Sequence, residues 1–124
     1  MSEEQSSDLV RALVAAGDLL RRAVPDGEQT GPALGTDDLS TLGGALDEVT
    51  RALANIAIGC AAQVGQLPFG HVLSDDSGTH NPAARCAEAA DELHQVAQHL
   101  DAANQSAWQF HNAISHITVD ATRE

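Results

Sequence analysis

The amino-acid sequence predicts an all-α protein, with a short N-terminal helix followed by a long antiparallel helical hairpin. In three stretches, apolar or small residues recur at steps of three and four residues, the spacing of one helix face. Segments rich in glycine, proline and polar residues separate these stretches. The hairpin can close as a three-helix bundle with the first helix, or as a dimeric four-helix-type bundle with a second copy. The sequence leaves both arrangements open.

The first helix is predicted over about residues 7–24. Two serines and an aspartate at its start are candidate N-caps, and two arginines in its last turn suit the negative end of the helix dipole. A linker over residues 25–36 follows, with prolines, glycines and no apolar period. This linker is long enough for the first helix to lie along the hairpin or across it.

The second helix is predicted over about residues 37–66. Glycines at Gly43, Gly44, Gly59 and Gly65 each cost about 1 kcal/mol inside a helix relative to alanine, and close approach of a neighbouring backbone is their usual compensation. The apolar stripe expected to face the third helix follows steps of three and four, interrupted only at Gln63: Leu39, Leu42, Leu46, Val49, Leu53, Ile56, Cys60 and Leu67.

A loop over residues 67–81 precedes the third helix, which is predicted over about residues 82–119. Pro68 is expected to end the second helix, since a proline disfavours helical geometry in the residue before it. Asn81 is a candidate N-cap, and the proline after it suits the first helical position. The predicted stripe comprises Cys86, Ala89, Leu93, Val96, Leu100, Ala103, Ala107, Phe110, Ile114 and Ile117.

Length and charge restrict the classes of function. The 124 residues suffice for a single domain with a modest core, and the formal net charge is −12 at pH 7. Such an acidic chain lacks the basic surface that binds nucleic-acid phosphates or anionic membranes directly. A basic protein partner would be attracted. The alanine-rich composition without lysine is typical of a bacterium with a GC-rich genome.

We expect a cytoplasmic location without a membrane segment. The start Met-Ser-Glu-Glu carries acids where a signal peptide has basic residues. We expect no window of the sequence to approach the ~18 apolar residues of a membrane span. Cys60 and Cys86 are predicted to lie within about one turn of each other in the hairpin. They could form a disulfide in an oxidising compartment, and two reduced, buried thiols are expected in the cytoplasm.

Candidate contact residues are apolar groups in the loop and off the main stripe. Trp108 is predicted to point away from the seam, where it either packs under the first helix or anchors an interface. The predicted contact set is Trp108, Phe110, Leu67, Phe69 and Val72. The histidines of the third helix occur in pairs five residues apart, whereas metal-binding pairs need three or four, so no metal or cofactor is predicted.

Two resemblances bear on function. The acids Asp47, Glu48, Glu88 and Asp91 resemble the acid pattern of the all-α nucleotide pyrophosphohydrolases of the MazG type. This resemblance implies a magnesium site that holds a nucleotide triphosphate. The acidic helical hairpin is similar in architecture to the small dimeric proteins exported by type VII secretion. Their Trp-Xaa-Gly turn is replaced here by Leu-Pro-Phe-Gly-His, which limits that resemblance to architecture.

The leading hypothesis is a non-enzymatic helical adaptor or scaffold protein that self-associates, as a homodimer, through the hairpin. The alternative is an acidic inhibitor that masks a basic partner, such as an immunity protein, an antitoxin or a nucleic-acid mimic. A second alternative is the metal-dependent nucleotide pyrophosphohydrolase implied by the resemblance above. The leading hypothesis follows from two long apolar stripes without a nucleophile–base grouping.

Overall fold

The computed structural model describes residues 2–23, 33–74, 76, 78 and 81–118. These residues form three α-helices and no strand, which confirms the predicted all-α fold. The helices are α1 (Ser2–Ala23), α2 (Thr36–Gly70) and α3 (Pro82–Ser115). Residues up to Leu34 and residues from Gly35 onward form two separate compact units, and each is described by itself.

The N-terminal unit contains α1, which starts five residues before its predicted first residue. Its last two turns carry a charge cluster in which Asp18 accepts hydrogen bonds from Arg21 at 2.9 Å and from Arg22 at 2.8 Å. Both pairs are solvent-exposed, so they contribute little to stability. The apolar side chains of α1 are exposed: Leu9, Val10, Leu13, Val14, Leu19 and Leu20.

The second unit is the predicted antiparallel hairpin of α2 and α3. Asn81 caps α3 as expected, since its side-chain oxygen accepts the backbone N–H groups of Ala83 at 2.8 Å and Ala84 at 3.4 Å. The helix ends at Ser115, four residues before its predicted end, where the chain enters the β-branched run Ile-Thr-Val that disfavours a helix. Residue 119 lies outside the described residues.

Pro68 does not end α2, which continues through it to Gly70. A proline removes one backbone donor and crowds the carbonyl four residues earlier, a cost that is large in the middle of a helix. Only two helical residues follow Pro68, so the proline costs α2 no more than one backbone hydrogen bond in its last turn. The loop therefore begins at His71 instead of Leu67.

The hairpin is closed by small side chains. The fully buried apolar residues of the described part of the chain are all alanines, and Gly43 is buried with them. On α2 the buried or half-buried stripe, which we call the inner seam, comprises Ser40, Gly43, Asp47, Thr50, Ala54, Ala57, Ala61 and Val64. On α3 it comprises Cys86, Ala90, Leu93, Ala97, Leu100, Asn104, Ala107, His111 and Ile114.

The predicted contact stripe of α2 therefore lies beside the inner seam, with four of its eight residues half-buried and four exposed, and the predicted stripe of α3 is half right. On α2 the inner seam follows each predicted apolar residue by one position, which turns the contact face by about 100°. On α3 the seam keeps every second predicted residue. Both stripes of α2 repeat at steps of three and four residues, so periodicity alone does not choose between them.

Gly43 explains why the small residues face inward. A β-carbon added there would lie 2.9 Å from the Cα of His111 and 3.1 Å from Cδ2 of Phe110, so only glycine allows this approach. The close approach of the α3 backbone compensates the helix-propensity cost of Gly43, as predicted. Gly59 and Gly65 have no such neighbour within 4 Å, and the prediction of close approach is wrong for these two.

Candidate protein interaction surface

The large apolar side chains of the hairpin lie along one side of it. We call this side the leucine face, defined as Leu39, Leu42, Leu46, Val49, Leu53, Ile56 and Leu67 of α2, Val96 and Phe110 of α3, and Ile117 just after α3. All ten side chains are half-buried or exposed, and none is fully buried. Val49 retains 50% of its exposed area and Val96 retains 45%.

The two helices contribute to the same face because they run in opposite directions. Each leucine-face residue of α2, apart from Leu67, immediately precedes an inner-seam residue, as Val49 precedes Thr50. The same holds for the first two members on α3, as Val96 precedes Ala97. A residue one position before the seam lies about 100° around its helix. In an antiparallel pair, these two equivalent flanks lie on the same side.

The opposite side of the hairpin, which we call the polar face, consists mainly of hydrophilic residues. It comprises Thr41, Glu48, Arg51 and Asn55 of α2 with Asp91, His94, Gln98, Asp101, Gln105 and Asn112 of α3. Two apolar exceptions interrupt it, Ile58 at 47% exposure and Trp108 at 55%. The hairpin therefore has one apolar and one hydrophilic side.

The five predicted contact residues do not form one patch. Phe110 and Leu67 lie on the leucine face, near its opposite ends. Trp108 lies off the seam, as predicted, and belongs to the side of the polar face together with Phe69. Val72 is fully exposed in the loop after α2. The leucine face, whose α2 residues were predicted to face the interior, is a larger exposed apolar surface than the predicted contact residues form.

A polar cluster fixes the register of the hairpin. The side-chain amide of Asn104 donates to the backbone oxygen of Asp47 at 2.7 Å, to its carboxylate at 2.9 Å and to the Thr50 hydroxyl at 3.0 Å. The Asp47 carboxylate also pairs with Arg51 at 3.1 Å and is only 18% exposed. Asp47 is absent from the predicted apolar stripe but lies on the inner seam, where Asn104 satisfies its oxygens.

A second set of hydrogen bonds lies at the end of the hairpin remote from the loop. The Nδ1 of His111 lies 2.8 Å from the carbonyl oxygen of Ser40. A carbonyl only accepts, so Nδ1 carries the proton and donates. The hydroxyls of Ser40 and Ser115 lie 3.2 Å apart, and the Ser115 hydroxyl donates to the His111 carbonyl at 2.7 Å.

The register separates the four acids of the magnesium-site alternative. Asn104 lies opposite Asp47, and continuing this register places Glu88 and Asp91 opposite α2 residues 60–63. That level lies roughly 20 Å along the axis from Asp47 and Glu48 at 1.5 Å per residue. The two acid pairs are too far apart to share one ion. The described residues contain no group of three potential metal ligands.

The two cysteines are free thiols, and both are half-buried. Cys60 borders the leucine face, whereas Cys86 belongs to the inner seam. The register places Cys86 opposite Gly65, about 7 Å along the hairpin from Cys60. This offset exceeds the predicted single turn, and the separation of the helix axes adds to it, so a disulfide would require the helices to slide.

A shallow pocket lies at the loop end of the hairpin, lined by Pro68, His71, Leu73, Pro82 and Ala83. Its volume of about 190 Å³ is below the range of typical small-molecule sites. Within the described residues, α2 is long and apolar enough to cross a membrane by length and composition. Helices that pack inside soluble proteins meet the same criterion, so the expectation of a chain without a membrane segment stays a prediction.

Comparison with known proteins found no matching family model, no similar curated protein and no similar solved structure.

Proposed function

We propose that this chain is a non-enzymatic helical protein–protein interaction protein that binds through the leucine face. One observation carries the proposal: the fully buried apolar residues of the described hairpin are alanines, while large apolar side chains of the leucine face stay exposed, among them Leu42, Leu46, Val49, Leu67, Val96 and Phe110. Extended exposed apolar patches on a protein in water mark binding surfaces. A binding partner would remove this surface from water, with a gain of roughly 25 cal/mol per Å².

The absence of charge from the leucine face supports this proposal. The chain carries a net charge of −12, yet the ten defined residues of this face are all uncharged. Interface centres are depleted of charged side chains in the same way, whereas rims are polar. Arg85 and Glu92 lie on the α3 half of this side, since each immediately precedes an inner-seam residue as Val96 does, and Arg85 pairs with Glu88 at 3.6 Å. The α2 half of the face is uncharged, and the α3 half carries few charges.

Site-specific photocrosslinking in living cells tests this function. A photoreactive amino acid is placed at Val49 on the leucine face or at Ile58 on the opposite side, two positions of nearly equal exposure on the same helix. We expect protein adducts from position 49 and few from position 58. Equal yields from the two positions, or no adduct from position 49, would contradict the proposal.

A second candidate function uses the polar face. Trp108 is exposed there, about two turns from Asp101 and nearly five turns from Asp91 on the same helix side, a combination suited to a basic protein partner. This function predicts capture of a basic protein with a steep dependence on salt, which Trp108→Ala abolishes. Binding that is insensitive to salt would argue against it.

A further inference from the structure

We infer that the occupant of the leucine face is a second copy of this chain, and that two hairpins pack face to face as a four-helix bundle. This inference rests on the proposed function and names its partner. Three properties of the face point to a second copy: its area, its lack of charge and its match to itself.

The area of the leucine face suits a stable dimer. On α2 the face runs 28 steps from Leu39 to Leu67, or about 42 Å at 1.5 Å per residue, and α3 from Ala89 to its end at Ser115 runs about 39 Å beside it. Two helix axes about 8–10 Å apart give a strip close to 18 Å wide. The strip is therefore roughly 750 Å² on each copy. That is close to the ≈ 800 Å² per partner of a standard specific interface.

Charge favours a second copy over a basic protein. Two chains of net charge −12 repel each other wherever acids face acids. Glu48, Asp91 and Asp101 lie on the polar face, whereas Glu92 lies on the side of the leucine face, because it immediately precedes the inner-seam residue Leu93. Face-to-face pairing keeps the first three carboxylates on the outside of both copies and places Glu92 beside the contact. A basic partner would find no carboxylate to bind among the ten residues that define this face.

The shape of the face also matches itself. An isologous dimer brings the same patch of two copies together, so the patch must be self-complementary. Large side chains dominate the α2 half of the face, with leucines, Val49 and Ile56. Smaller side chains accompany large ones on the α3 half, where Ala89 precedes Val96 and Ala103 lies between Val96 and Phe110. Packing the α2 half of one copy on the α3 half of the other places large side chains over small ones.

Sedimentation equilibrium on the purified full-length chain tests the inference. A single chain has a mass of 12.9 kDa, and we expect the wild-type protein to dimerise at tens of micromolar. Val49→Glu and Val96→Glu place a charge in the centre of the face and should weaken dimerisation by at least about 100-fold. Ile58→Glu introduces the same charge on the opposite side and should leave the dimer intact. Far-UV circular dichroism verifies that each variant remains helical.

Two outcomes would overturn the inference. The first is a wild-type chain that remains monomeric at 100 micromolar. The second is a dimer that survives both leucine-face substitutions, or that Ile58→Glu disrupts instead. Mass spectrometry of the adduct formed at position 49 separates this inference from the proposed function. An adduct with a different protein keeps the interaction function and contradicts the second copy, whereas an adduct with the chain itself supports both.

Discussion

Helix α2 carries two parallel stripes with the same spacing, and they have opposite fates. The inner seam consists of glycine, alanines and small polar residues, and it packs against α3. The stripe one residue earlier consists of leucines, a valine and an isoleucine, and much of it stays exposed. Small side chains let two backbones approach closely along many turns, while large ones remain available beside the seam. Hydrophobicity alone therefore does not identify the inner face of a helix.

The largest predicted effect comes from enlarging the inner seam. Ala57→Leu adds three carbons where Ala57 is buried, and should lower the free energy of unfolding by about 3 kcal/mol through overpacking. Ala62→Leu makes the same change at an exposed position of α2 and should alter stability by no more than about 0.5 kcal/mol. Urea unfolding at one fixed protein concentration measures both. Equal effects would mean that Ala57 does not face α3.

The polar part of the seam gives the next effect. Asn104→Ala removes an amide whose two N–H groups are shared among three acceptors on α2, and should cost about 2 kcal/mol. Asp47 keeps Arg51 as a partner, so no buried charge is left alone. Asn112→Ala on the exposed side of α3 is the matched control and should be nearly neutral. The same urea titration compares them, and a neutral Asn104→Ala would show that the cluster does not bind the helices together.

The glycines give a smaller pair of effects with opposite signs. Gly43→Ala places a β-carbon 2.9 Å from the His111 backbone and should lower stability by about 1 kcal/mol despite the better helix propensity of alanine. Gly59→Ala meets nothing within 4 Å and should raise stability by about 1 kcal/mol. Thermal unfolding of the two variants measures both effects. A stabilising Gly43→Ala would contradict the close approach of Gly43 to the His111 backbone.

The prediction for the cysteines concerns the number of free thiols and not the stability of the fold. We expect two reactive thiols per chain when protein purified without reductant is denatured and titrated, because the register offsets Cys60 from Cys86. A result of zero thiols would mean that the helices slide by more than one turn. It would also displace the leucine-face residues of α3 relative to those of α2.

Much of the fold was predictable from local signals. The three helices follow from apolar spacing, and Asn81 with its following proline marks the start of α3 within one residue. The end of α2 was not predictable from Pro68, because the cost of a proline depends on how many helical residues follow it. The end of α3 came early because a β-branched run outweighed the continuing apolar period.

The candidate surface was harder to predict, and particular residues show why. Leu46 and Asp47 are neighbours, and hydrophobicity assigns the first to the interior and the second to solvent. The structure half-buries Asp47 because Asn104, 57 residues later, satisfies its oxygens, and sequence spacing gives no sign of such a distant partner. One signal was available: Gly43, Ala54, Ala57 and Ala61 already form a stripe of small residues at helical spacing.

The most direct test of the account concerns which side of α2 faces α3. Ser40→Cys and Ser115→Cys are combined in a chain whose natural cysteines are replaced by Cys60→Ala and Cys86→Ala. The hydroxyls of the two serines lie 3.2 Å apart, so mild oxidation should join the new thiols within a single chain. Non-reducing electrophoresis and thiol titration measure the product. An intramolecular disulfide is the predicted result. Two thiols that persist under oxidation would mean that the inner seam of α2 does not face α3, and the leucine face beside it would then be misplaced too.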